Sequence, residues 1–168
     1  MATAAWKIVT RLLEHLVRSR RTAPRRTFWR QSGFPTPDYV GCPDMVYGRT
    51  GPAGHSSGDV VWTWVAYEED SSQGKDRPVL LVGVEEHWLL GLPATSKDHD
   101  RDAAQERRSG RHWMEIGAGE WDPKGRVSEV RLDRIIRVDP TTIRRAAGRV
   151  DRFIFEGVAQ GVREHWDD

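Results

Sequence analysis

Hydrophobic positions along the chain change period twice. Trp6, Val9, Leu12, Leu13, Leu16 and Val17 recur at helical spacing, with Arg11, Glu14, His15 and Arg18 between them, and predict a basic amphipathic helix over 6–18. Over 19–57 the periodicity is lost. Arg, Pro, Gly and Ser dominate there, including Pro35, Pro37, Pro43 and Pro52, which reads as an irregular linker. From Gly58 onward the apolar residues fall in short runs. Those at 60–65, 78–84, 87–92, 112–116, 127–131 and 134–138 each predict a strand, with a polar loop at 68–76 turning near Gly74. Asp139-Pro140 fits a helix start, so a short helix is expected over 141–147. Val150, Phe153, Ile154, Val158 and Val162 then form the apolar stripe of a terminal helix from about 149 to 165. Short strands at this spacing favour a barrel or sandwich over a βαβ sheet. The chain thus divides into a basic helix with linker, 1–57, and a mainly β (α+β) domain, 58–168.

Composition narrows the class. In 168 residues, 38% hydrophobic and 30% charged, there is material for one modest core, and no apolar run approaches bilayer length. The N-terminal arginines are not followed by an apolar stretch and small-residue cleavage site, which argues against a secretory signal. Cys42 is the single cysteine, so no internal disulfide can form and a reducing cytoplasm is the expected setting. The net charge of +1 conceals an imbalance. Lys7, Arg11, Arg18, Arg20, Arg21, Arg25, Arg26 and Arg30 stand against one acid, Glu14, so the remainder is acidic overall. Global charge therefore does not identify a partner, and local clusters must.

Three segments are informative in order. Gly58-Asp59-Val60-Val61-Trp62 opens a strand, and Ser71-Ser72-Gln73-Gly74-Lys75-Asp76-Arg77-Pro78-Val79-Leu80 is a loop ending in Arg-Pro before an apolar strand. Leu92-Pro93-Ala94-Thr95-Ser96-Lys97 ends a strand in small polar residues, and 128–139 joins Arg131 and Asp133 to Ile135-Ile136 and Asp139. Together these resemble the PemK/MazF toxins of type II toxin–antitoxin systems, the Kid/PemK branch in particular. The resemblance covers about half the chain.

The resemblance implies an SH3-like small barrel with a C-terminal helix, here behind an N-terminal basic helical extension, and usually a homodimer. It further implies an endoribonuclease acting on single-stranded RNA without metal or other cofactor, neutralised by a cognate antitoxin whose acidic tail covers the RNA groove. Such cleavage uses the substrate's own 2′-hydroxyl as nucleophile. The enzyme must hold the phosphate, offset charge on its oxygens and move two protons. Arg77 matches the family's arginine before proline, the phosphate holder. Arg131 and Asp133 match its Arg-x-Asp pair, as transition-state stabiliser and proton acceptor. Thr95 matches a hydroxyl beside the catalytic arginine. Ser72, Gln73, Lys75, Ser96, Lys97 and Ser128 are expected to contact RNA.

Each assignment has a plainer alternative. Arg77 also reads as a surface arginine before a strand, Arg131 and Asp133 as a structural ion pair, and Thr95 and Ser96 as turn residues. Asp98-His99-Asp100 looks like a metal cluster, but neighbours in a polar loop point different ways, and a solvated loop is the better reading. Among Trp62, Trp64, Trp88 and Trp113, core packing is the rule, with at most one or two expected to face RNA. The sequence also departs from the family. Ser72 stands where many members carry Glu, Arg134 replaces a glutamine, and no histidine lies between Trp62 and Arg77. Protonation of the leaving oxygen then falls to Glu68, Glu69, Asp70, Arg77 or water. The rival class is a binding module of the same fold, poisoning gyrase as CcdB-type proteins do, or binding nucleic acid without cutting it. The N-terminal helix fits nucleic acid, a membrane surface or a docking partner equally well.

Overall fold

The computed structural model describes residues 36–96 and 110–166. The helix expected over 6–18, Lys97 and the 98–100 cluster lie outside them. Among the described residues, seven strands and one α-helix follow in chain order: β1 (Asp59–Ala66), β2 (Gly74–Glu85), β3 (Trp88–Thr95), β4 (Trp113–Gly117), β5 (Ser128–Arg131), β6 (Ile136–Val138), β7 (Arg145–Arg149) and α1 (Arg152–Trp166). All pairings are antiparallel. The sheet runs β4-β5-β3-β2-β1-β7, with β6 added to β3. β3 is the hinge of this arrangement, because its first half pairs with β6 and its second with β5. The expected mainly β fold with a terminal helix is therefore observed, but the sheet is not closed, since β4 and β7 remain its two ends.

Alternation along the strands sorts the apolar residues into two cores. Val60, Leu80, Val82, Leu90, Leu92, Ala94 and Val130 face one side, where Phe155, Val158, Ala159 and Val162 of α1 cover them. Val61, Val65, Val79, Leu81, Leu89, Ile136 and Val138 face the other and form a smaller cluster. Of the stripe that predicted the terminal helix, Val158 and Val162 lie on its buried face and Ile154 is half-buried, but Phe153 is 85% exposed and Phe155 takes the core position instead. The helix starts later than expected because Asp151 caps it, its carboxylate accepting the Ile154 N–H at 2.9 Å.

The 141–147 helix is not observed. A 3₁₀ turn at Pro140–Thr142 leads instead into β7, which pairs with β1. Gly148 within it has φ 109°, a value no α-helix uses, and Ala147 is buried in the first core. A free edge on β1 outweighs the weak local preference for helix. β2 also starts four residues before Pro78, because its N-terminal part completes the ladder to β1 through Val65↔Lys75 and Ala66↔Gly74. Arg77 consequently lies inside a strand rather than at the end of a loop.

Residues 36–57, part of the expected linker, have little regular structure yet rest on the sheet. Met45 is buried in the first core, and the Tyr39 N–H donates to the Ile135 carbonyl at 2.7 Å. Two arginines, Arg134 between β5 and β6 and Arg137 within β6, fasten the start of this segment. Arg134 Nε donates to Asp38 at 2.7 Å, and Arg137 donates to the Pro37 and Asp38 carbonyls.

Candidate nucleic-acid cleft

Residues paired across antiparallel strands point to the same side of the sheet. Thr63↔Arg77, Val65↔Lys75, Val79↔Pro93, Thr95↔Glu129 and Trp113↔Arg131 therefore all share the face of the smaller core. That face is apolar at one end and polar at the other. At the polar end lies an open cleft of about 190 Å³, lined by Tyr67, Glu68, Glu69, Lys75, Arg77, Pro93, Ala94, Thr95, Arg111, Trp113, Arg131 and Arg134.

Two guanidinium groups in this cleft differ in state. Arg77 is half-buried and has no hydrogen-bond or ion-pair partner among the described residues. Burial is the largest cause holding its pKa below the ordinary arginine value; nearby Tyr67 opposes this, while the like charges of Arg134 and Arg131 add to it. The group remains cationic at neutral pH, so it presents an unmatched positive charge to the cleft.

Arg131 is nearly buried and fully engaged. Its Nη1 donates to Glu68 Oε2 at 2.8 Å, its Nε to Asp133 Oδ1 at 3.3 Å, and its Nη2 to Asp133 Oδ2. Burial pulls its pKa down, but the bonds to Asp133 and Glu68 outweigh burial and raise it. Asp133 is buried behind this arginine and does not line the cleft. Desolvation raises its pKa, and the bonds from Arg131 and from the His112 N–H, at 2.8 Å, more than reverse that, leaving it below the usual carboxylate range. Glu68 is likewise lowered, chiefly by its hydrogen bond from Arg131. Arg134 also lines the cleft but is held by Asp38 and by the Ala66 carbonyl.

The remaining expected site residues divide. Lys75 and Thr95 line the cleft with Arg77 and Arg131. Ser72 and Gln73 lie on the exposed β1–β2 loop, outside the cleft lining, where both bond the Asp70 carboxylate. Ser96 is half-buried and hydrogen-bonds Asp122 instead. Ser128, expected to touch RNA, is wholly buried, because its position on β5 points into the packed side of the strand. Asp133, expected to take a proton directly from RNA, sits behind Arg131 for the same sort of reason: the chain turns after β5 and returns its carboxylate to the guanidinium.

Sequence reasoning missed Tyr67 and Arg111, and offered Trp113 only as one of four tryptophans without singling it out. Trp113 reaches the cleft because it is in register with Arg131 across β4 and β5. No spacing within either strand gives that register.

A family model for the PemK-like, MazF-like toxins of type II toxin–antitoxin systems matches residues 56–166. The chain belongs to that family. The matched span takes in every strand, the helix and the whole cleft. Among solved structures, this toxin is similar to a chain in the crystal structure of MazE-MazF (Form-II) from Deinococcus radiodurans, at 15% identity and a TM-score of 0.44, over 71% of this chain and 96% of that chain. No curated protein sequence matches it. Among the described residues no helix is long and apolar enough to cross a membrane.

Proposed function

We propose that this toxin is an endoribonuclease that cuts single-stranded RNA through the substrate's 2′-hydroxyl, needs no metal, and is neutralised by a cognate antitoxin. The observation that carries the reading is the half-buried Arg77, whose guanidinium has no partner among the described residues and faces a cleft it shares with Thr95 and Arg131. A cation in such a position gains most from an anion with two oxygens to offer, which is what a phosphodiester is. Membership of the toxin family supports the same reading.

In the proposed reaction the 2′-oxygen forms a bond to phosphorus and the bond to the 5′-oxygen breaks. One proton leaves the 2′-hydroxyl and one reaches the departing 5′-oxygen, giving a 2′,3′-cyclic phosphate and a 5′-hydroxyl. Arg77 grips the non-bridging oxygens as charge builds on them, Thr95 donates to one of them, and Arg131 supplies the second positive charge. Asp133 acts as a positioning residue that fixes the fork of Arg131. An antitoxin tail rich in carboxylates suits the same cations.

One observation favours the rival, a non-catalytic binding module. Glu68 and Asp133 are both held below the usual carboxylate range by Arg131, so neither is a ready proton acceptor. A single experiment separates the readings: a sequence-diverse single-stranded RNA pool incubated with the protein in excess EDTA, beside Arg77→Ala. Cyclic-phosphate ends produced by the wild type and lost in the variant support the nuclease. Intact RNA after incubation with well-folded protein supports the binding module.

A further inference from the structure

Two of the four cleft arginines stand in contrast: the Arg77 guanidinium has no partner among the described residues, whereas Arg131 already holds two carboxylates. One of these, Asp133, is buried and tied to the His112 backbone, so it belongs to the frame. The other, Glu68, comes from the β1–β2 loop sixty-three positions away in sequence and is about half exposed (47%). Its neighbour Glu69 repeats the contact one residue on, reaching Arg111 at the cleft wall at 3.4 Å.

We propose that Glu68 is an internal stand-in for phosphate, occupying on Arg131 the place an RNA phosphate takes, so that the β1–β2 loop must release Arg131 before RNA can seat fully. This rests on the RNA-cleft reading above. Carboxylate and phosphodiester both present paired oxygens to the guanidinium fork, so one can exchange for the other without Arg131 moving. Asp133 stays behind to keep that fork aimed.

The loop is built for such a release. Tyr67 N–H donates to the Gln73 carbonyl, and Asp70 collects Ser72 and Gln73, so the turn is held together by its own residues. Among the described residues, the loop's ion pairs to the rest of the domain are the exposed Glu68 and Glu69 contacts, and these lie outside the β1–β2 ladder, which ends at Ala66↔Gly74. A half-exposed carboxylate also returns to water at small cost. RNA would engage open Arg77 first and displace Glu68 second.

The test is binding without cleavage. A short single-stranded RNA with 2′-O-methyl groups throughout cannot be cut, and its affinity is measured by fluorescence anisotropy for the wild type, Glu68→Gln, Arg77→Ala and Glu86→Gln. The last removes the same charge at the exposed β2–β3 turn, the far end of β2. Glu68→Gln is expected to bind about three- to tenfold tighter than wild type, and Glu86→Gln to change less than about twofold. Equal effects of the two variants would overturn the stand-in while Arg77-dependent binding left the RNA cleft intact. Weaker binding by Glu68→Gln would overturn it too, by giving Glu68 a direct contact with RNA. Binding by none of the proteins would sink the RNA cleft itself, and this inference with it. Melting temperatures matching the wild type establish that each variant is folded.

Discussion

Asp133→Asn tests whether the buried carboxylate is a frame for Arg131. Asp133 and Arg131 have side chains only 8% and 10% exposed, and Asp133 accepts three hydrogen bonds, two from the guanidinium and one from the His112 N–H. Breaking a fully buried pair costs about 3–5 kcal/mol, because the remaining charge is stranded. Here Glu68 still faces Arg131, and the asparagine oxygen still accepts from His112, so we expect about 2 kcal/mol, or a fall in Tm of about 4–8 °C for a domain of this size. The pH dependence follows from the direction of the shift. Asp133 has a folded pKa below its unfolded value, so its contribution is complete above the unfolded pKa and is lost as pH falls through the folded one. Thermal melts of both proteins from about pH 7 to about pH 2 should therefore show a Tm gap that narrows in acid. Equal Tm values at neutral pH, or a gap that persists unchanged in acid, would refute the framing role.

Three further outcomes are expected. Arg77→Ala should leave Tm unchanged or slightly higher in thermal melts, since a half-buried cation with no partner among the described residues contributes no pairing, while single-turnover cleavage falls about 10²–10³-fold. Gly74→Ala should lower stability by about 1–3 kcal/mol in urea titrations, because its Cβ would press on the Val65 carbonyl oxygen and lie 2.5 Å from the Trp64 ring at the start of β2. Phe155→Ala, emptying the wholly buried contact between α1 and the sheet, should cost about 3–5 kcal/mol by the same method, and a smaller loss would mean that the helix collapses onto the space.

What the sequence determined by itself was local. Runs such as Val60-Val61 and Leu80-Leu81-Val82 are apolar on both sides of the strand, and that alone announces a sheet buried on two faces. The stripe of Val158 and Val162 announces the helix that covers one of them. Arg77 and Thr95 were legible as candidate site residues through family motifs, and both line the cleft. Tertiary structure decided the rest, because register is a relation between distant strands and no single segment encodes it. It turned 145–149 into an edge strand despite a helix-like start at Pro140, since β1 had an unpaired edge to offer. It set Trp113 against Arg131 and buried Ser128. It also gave two arginines of the same chemistry opposite states: Arg131 closed by carboxylates brought from a loop and from a turn, and Arg77 left open. Charge state in a cleft depends on which groups the fold brings within a few ångströms, and that distance is absent from the order of residues along the chain.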